Sequence, residues 1–153
     1  MAFKVMIDFE KIPEWWALCP DDNCPMAGEC LRHRAYKEAP SRYPQWNCVL
    51  PHVRKDGECR YFQKDEKIRM ARGLKTLYAG ISDKRTRTDI RKELMARFGS
   101  NGAYYRYFNG ERWMNPEWQD TIQYVLRRHG YSGEACYDEV ADTYDFTAMP
   151  MPE

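Results

Sequence analysis

The sequence predicts an α+β fold: a mainly helical single domain with one β-hairpin, preceded by an irregular cysteine-rich segment. Three observations predict it. Three of the six cysteines, Cys19, Cys24 and Cys30, crowd into CPDDNCPMAGEC with two prolines. Apolar residues recur at helical spacing in three later stretches. Asn109-Gly110 separates two aromatic runs, the strongest short signal for a hairpin.

A chain of 153 residues has the length of one domain and buries about 68–70% of its unfolded surface. Aromatic residues make up 14% and charged residues 31%, which excludes a disordered chain and predicts a solvated exterior. Within one structural unit, residues 1–64 read as the cysteine-rich segment, 65–133 as a basic helical and hairpin region, and 134–153 as an acidic tail. MAFKVMIDF alternates well enough for a short strand. Lys4, Asp8, Glu10 and Lys11 interrupt every apolar run there, so no signal peptide and no membrane span are expected, and the cytoplasm is the expected compartment. Thiols stay reduced in that compartment, so a close cysteine cluster points to a metal or redox site before a disulfide framework.

The elements follow in order. Ala27, Leu31 and Ala35 predict a helix that carries Cys30 in its first turns and ends near Glu38, ahead of Pro40. Residues 40–59 hold three prolines and an Asp56-Gly57 turn signal and read as irregular. From Asp65 as N-cap to Gly80, a helix is expected with Ile68, Ala71, Leu74, Leu77 and Tyr78 inward, and Arg69, Arg72 and Lys75 outward. A second helix, capped by Thr86, buries Ile90, Leu94 and Phe98 before Gly99. The hairpin then spans AYYRYFNGERWM. The last helix takes Asn115 as N-cap and Pro116 at its first position, buries Trp118, Ile122, Val125 and Leu126, and stops at Gly130.

Four thiolates that hold a metal must converge tetrahedrally, at about 2.3 Å from zinc. Cys19-x4-Cys24-x5-Cys30 supplies three such ligands and Cys59, just past the Asp56-Gly57 turn, the fourth, with Cys48, His52 and His33 in reserve and Cys136 unassigned. Zinc is the preferred occupant. Cysteines followed by proline also accompany iron–sulfur clusters, which remain the alternative.

Charge is segregated along the chain. Residues 67–128 carry 14 Lys/Arg against 6 Asp/Glu, a net +8, and residues 129–153 carry none against 6. That asymmetry predicts a polyanionic partner, DNA or RNA, or an acidic tail that folds back and screens the basic surface. Arg69, Arg72, Lys75, Arg87, Arg91, Arg106 and Arg112 are the candidate phosphate contacts, and two basic helices followed by a hairpin would form a winged-helix-like arrangement. Tyr104, Tyr105 and Tyr107 offer stacking surfaces, although packing on a helical core is the commoner use of such residues.

Motifs for an enzyme are missing. There is no H-E-x-x-H, P-loop, G-x-G-x-x-G or G-x-S-x-G, and the P-C-x-x-C of the zinc deaminases is absent. No catalytic residue, small-molecule substrate or membrane partner is expected.

The run C-x4-C-P-x-A-x2-C-L-R from Cys19 to Arg32, Cys59-Arg60-Tyr61-Phe62 and FGSNGAYYRYFNGER from Phe98 to Arg112 resemble a small uncharacterised bacterial family, a domain of unknown function. The resemblance spans roughly residues 15–145 and brings no activity with it. It implies that Cys19, Cys24, Cys30 and Cys59 belong together and that Cys48 and Cys136 stand outside. Three readings follow: a metal-stabilised nucleic-acid-binding protein, a protein-interaction adaptor with a structural metal, and an iron–sulfur redox or sensing protein.

Overall fold

A computed structural model describes residues 6–148. The chain forms two compact units, one of the residues up to Glu66 together with those from Tyr144 on, the other Lys67–Thr143.

In the first unit, most of the strand expected at the N-terminus falls on residues 1–5, outside the described residues. Phe9–Lys11 is a 3-10 turn, its first amide end closed by Asp8, whose side chain accepts from the Glu10 N–H at 3.1 Å. Helix α1, Leu31–Glu38, ends where Pro40 requires. Cys30 is the extended N-cap residue of α1 and lies in an antiparallel bridge with Lys64, so it precedes the helix instead of entering it. Trp16, Leu31 and Ala35 have no exposed surface and form the centre of a core with Leu18, Phe9, Ile12 and Phe146. Phe146 meets the Trp16 ring edge-on at 5.1 Å, so the C-terminal residues close this unit.

The second unit is α+β, as the sequence predicts, but its strands are not those of the hairpin. Ile68–Arg72 is strand β1, followed by the short helix α2, Lys75–Ala79. Helix α3 is Lys84–Phe98, α4 Asn101–Phe108 and α5 Pro116–Arg128. Strand β2, Glu139–Thr143, pairs antiparallel with β1, with Met70 opposite Ala141. The helix expected from Asp65 is therefore a strand and a separate helical turn. IRMAR has both a helical and an extended reading, and pairing with a segment about seventy residues away selects the second, burying Met70 and Ala71.

The hairpin is corrected as well. Tyr104, Tyr107 and Phe108 sit at i, i+3 and i+4 of α4, and Ser100 caps it by accepting from the Ala103 N–H at 3.0 Å. A type I′ turn needs positive φ at both central residues. Asn109 has φ −78° and only Gly110 is left-handed, at φ 78°, so the pair ends a helix. No wing exists at 104–112. The other two helices match the expectation closely: Asp83, not Thr86, caps α3, and Asn115 caps α5 by accepting from the Trp118 N–H at 3.1 Å. Ile90, Leu94, Ile122, Val125 and Tyr104 fill the core between them.

Gly73, at φ 79°, joins β1 to α2, and an added Cβ would lie 2.1 Å from Asp138 Oδ2. That carboxylate accepts from the Thr76 N–H at 2.7 Å and the Lys75 N–H at 3.4 Å, serving the free amides of α2. Burial works to raise the Asp138 carboxyl, but these hydrogen bonds outweigh it and hold it below the ordinary carboxylate value. Its contribution is thus present at neutral pH and is lost as pH falls through the acid range. Gly73→Ala is expected to cost about 2–4 kcal/mol, from the left-handed backbone and the displaced cap. Gly133→Ala, where a Cβ meets nothing within 4 Å, is the control. Equal urea midpoints for the two variants would refute this account.

No helix among the described residues is long and apolar enough to cross a membrane.

Candidate metal centre

Four loops of the first unit converge on one small cavity. Cys19, Cys24, Cys30 and Cys59 all line it, with Asp21, Met26, Arg32, His33, Val49 and Tyr61 among their neighbours. Local structure explains how each arrives. The Cys19 amide donates to the Arg32 carbonyl at 3.1 Å, tying the first loop to α1. Residues 24–30 curl through Ala27 N–H to Cys24 O and Cys30 N–H to Ala27 O, a 3-10 turn that returns Cys30 toward Cys24. Asp56 and Gly57 both have positive φ, 52° and 78°, and Lys55 and Glu58 exchange both backbone hydrogen bonds. That reversal, a type I′ turn, leads directly into Cys59.

The cavity is about 20 Å³, room for roughly one water-sized sphere. Cys30 is buried and Cys19, Cys24 and Cys59 are half-buried. Cys48 and Cys136 are exposed and lie outside the cavity. Among the reserve ligands, His52 is exposed on the 3-10 turn Pro51–Val53. His33 does line the cavity, but both ring nitrogens are engaged: Nδ1 donates to the Cys19 carbonyl at 2.8 Å, and Nε2 lies 3.2 Å from Asp22 Oδ1. Among the described residues, no group of three or more His, Cys, Asp or Glu side chains is placed, as they stand, to hold a metal ion. Burial pushes the Cys19 thiol up, a hydrogen bond from the Asp21 backbone opposes it, and negative charge on Cys30, Asp21 and Cys24 adds to the rise.

Arg32 is the residue that spacing alone did not single out. It is 3% exposed. Its Nε donates to the Tyr61 carbonyl and Nη1 to the Ala17 carbonyl, both at 2.8 Å, and Nη2 to the Ala148 carbonyl at 3.3 Å. The guanidinium lies over the Trp16 ring at 4.4 Å and the Tyr61 ring at 5.6 Å. Burial pulls it below its ordinary value, while Cys30, Tyr61, Cys59 and Cys19, once ionised, push it back up. The Cys30-Leu31-Arg32 run carried the signal, an arginine two residues after a candidate ligand.

The seven candidate phosphate contacts are spread over β1, α2, α3, α4 and the loop after it. Arg69 is bonded to the Gln119 side chain, and Arg72 pairs with Glu139 and stacks on Trp113 at 4.7 Å, so both are used within the unit. Lys75, Arg91, Arg106 and Arg112 are exposed and Arg87 half-exposed; Lys75 acts electrostatically on the Asp138 carboxylate, and none of the five side chains forms a salt bridge among the described residues. Tyr104 is fully buried and bonded to the Tyr78 hydroxyl at 2.9 Å, and Tyr107 stacks on Phe98 at 4.5 Å. Only Tyr105, 43% exposed, keeps an open ring.

Comparison with known proteins adds one match. No curated protein and no solved structure matches the chain. A family model described as a family of unknown function, DUF6078, matches residues 1–146, nearly the whole chain, and the protein therefore belongs to that family.

Proposed function

We propose that the first unit is a metal-stabilised module in which Cys19, Cys24, Cys30 and Cys59 bind one ion, and that the protein works by binding and not by catalysis. One observation carries this reading. Of six cysteines, the four singled out by spacing, and only those, line a single cavity of one-ion size. That size favours zinc over an iron–sulfur cluster, whose several iron and sulfide atoms need more room. Binding would require rotation of the four thiols toward a common centre and release of their protons. Elemental analysis of untagged protein should return close to one zinc per chain. A metal-free preparation, or iron with equimolar sulfide and visible absorption, would refute the zinc assignment.

A second reading, nucleic-acid binding by the second unit, is favoured by α3. Lys84, Arg85, Arg91 and Lys92 are exposed along this helix, and Arg87 lies four residues before Arg91. Like charges at that spacing destabilise a helix, and although Arg85 acts electrostatically on Asp83, none of the five forms a salt bridge among the described residues. Arg91 acts electrostatically on the Tyr78 and Tyr104 phenols, and Tyr105 packs edge-on to Tyr104 at 5.1 Å, which sets one open ring near the row of cations. Anisotropy titrations at low salt should show binding to DNA or RNA, and Arg87→Glu with Arg91→Glu should lower the log–log salt slope by roughly 2. No binding to single-stranded DNA, duplex DNA or RNA would leave the metal-stabilised protein-interaction adaptor.

A further inference from the structure

We propose that Arg32 is the buried counter-cation of the cysteine site, a positioning residue that sets how tightly the four thiolates hold a divalent ion. The inference rests on the metal reading above. A guanidinium taken out of water costs several kcal/mol unless an opposite charge compensates it. Arg32 is 3% exposed, and its hydrogen bonds run to three neutral carbonyls. No carboxylate is ion-paired with it among the described residues. Asp21, the one carboxylate on the same cavity, is instead 3.5 Å from Arg54 and accepts from the Asn23 N–H at 3.0 Å. The other cavity-lining groups that would become anionic on binding a metal are the four cysteine thiols. Four thiolates around a divalent cation carry a net charge of −2, so a buried guanidinium on the wall of that cavity compensates the centre and is compensated by it.

The same side chain also holds the ligand loops together. Ala17, which accepts from Nη1, lies two residues before Cys19, and Tyr61, which accepts from Nε, lies two residues after Cys59. Arg32 itself lies two residues after Cys30, so one planar fork joins three of the four ligand segments. Lysine keeps the charge but cannot reproduce that fork. Charge and geometry are therefore separable by substitution.

The test begins with zinc stoichiometry of the wild-type chain. A wild-type chain without zinc overturns the metal reading, and this inference with it, before any variant is made. With zinc present, competition against a chelator should show Arg32→Gln holding zinc about 10–100-fold more weakly, as for other residues that support metal ligands from behind. Arg32→Lys should recover much of that loss, because the charge is retained. Where Arg32→Gln does not fold, the wild-type protein decides: the Arg32 Nε–H resonance should shift when the chelator strips the zinc and return on reloading. Undiminished zinc affinity in a folded Arg32→Gln variant, or an Arg32 resonance indifferent to the metal, would overturn the proposal.

Discussion

Cys24→Ser is expected to strip the metal and to unfold the first unit at markedly lower temperature. The first unit is small, and its cysteine loops contain only 3-10 turns and single bridges apart from α1. Structural zinc in small metal-folded modules contributes an apparent binding energy of about 10–16 kcal/mol, and that energy is folding energy. Losing one of four ligands removes enough of it to lower Tm by at least about 10 °C, at a few degrees per kcal/mol for a chain of this size. Cys136→Ser and Cys48→Ser, both exposed and outside the cavity, should change neither metal content nor Tm. A metal-free preparation that melts with the native one would sink the idea, and metal loss in the Cys136 variant would mean that the ligands are misassigned.

Truncation after Gly133 is expected to destroy the second unit, not to expose a basic face. The acidic C-terminal residues hold β2, whose five residues pair with the whole of β1. Without them, Met70 and Ala71 lose the strand that pairs with theirs, the carboxylate that caps α2 disappears, and Arg72 loses Glu139. Tyr144 and Phe146, removed by the same cut, belong to the core of the first unit. The truncated chain should show no cooperative melting transition. Screening by the acidic residues is tested instead with Glu139→Gln and Asp142→Asn, which keep the strand and remove two charges opposite Arg72 and Arg69. A truncated chain that melts like the full-length protein would contradict the sheet described here.

Much of the helical architecture was legible because its signals are local. Asn115 before Pro116, with an apolar stripe and Gly130 behind it, specifies α5 without help from elsewhere, and Gly99 ends α3 by a left-handed φ of 91°. Two glycine dipeptides show where legibility stops. Asp56-Gly57 forms a tight reversal with both residues at positive φ, whereas Asn109-Gly110 terminates a helix with only the glycine there. The dipeptides are nearly equivalent. Their neighbours differ, since Tyr104, Tyr107 and Phe108 find a core against Phe98, Tyr78 and Trp118 only on a helical repeat.

By itself the sequence determined the α+β class, the stops of α1, α3 and α5 and the Asn115 cap of α5, and it picked out Cys19, Cys24, Cys30 and Cys59, which line one cavity that Cys48 and Cys136 do not. Each follows from signals within a turn or two of chain or from the spacing of the cysteines. Only the tertiary structure decided that Ile68–Arg72 is a strand, that the acidic terminus supplies its partner, and that Arg32 stands buried beside the thiols. Strand pairing across about seventy residues and the solvation of a buried charge depend on groups that meet only once the chain has folded, and no local pattern encodes them.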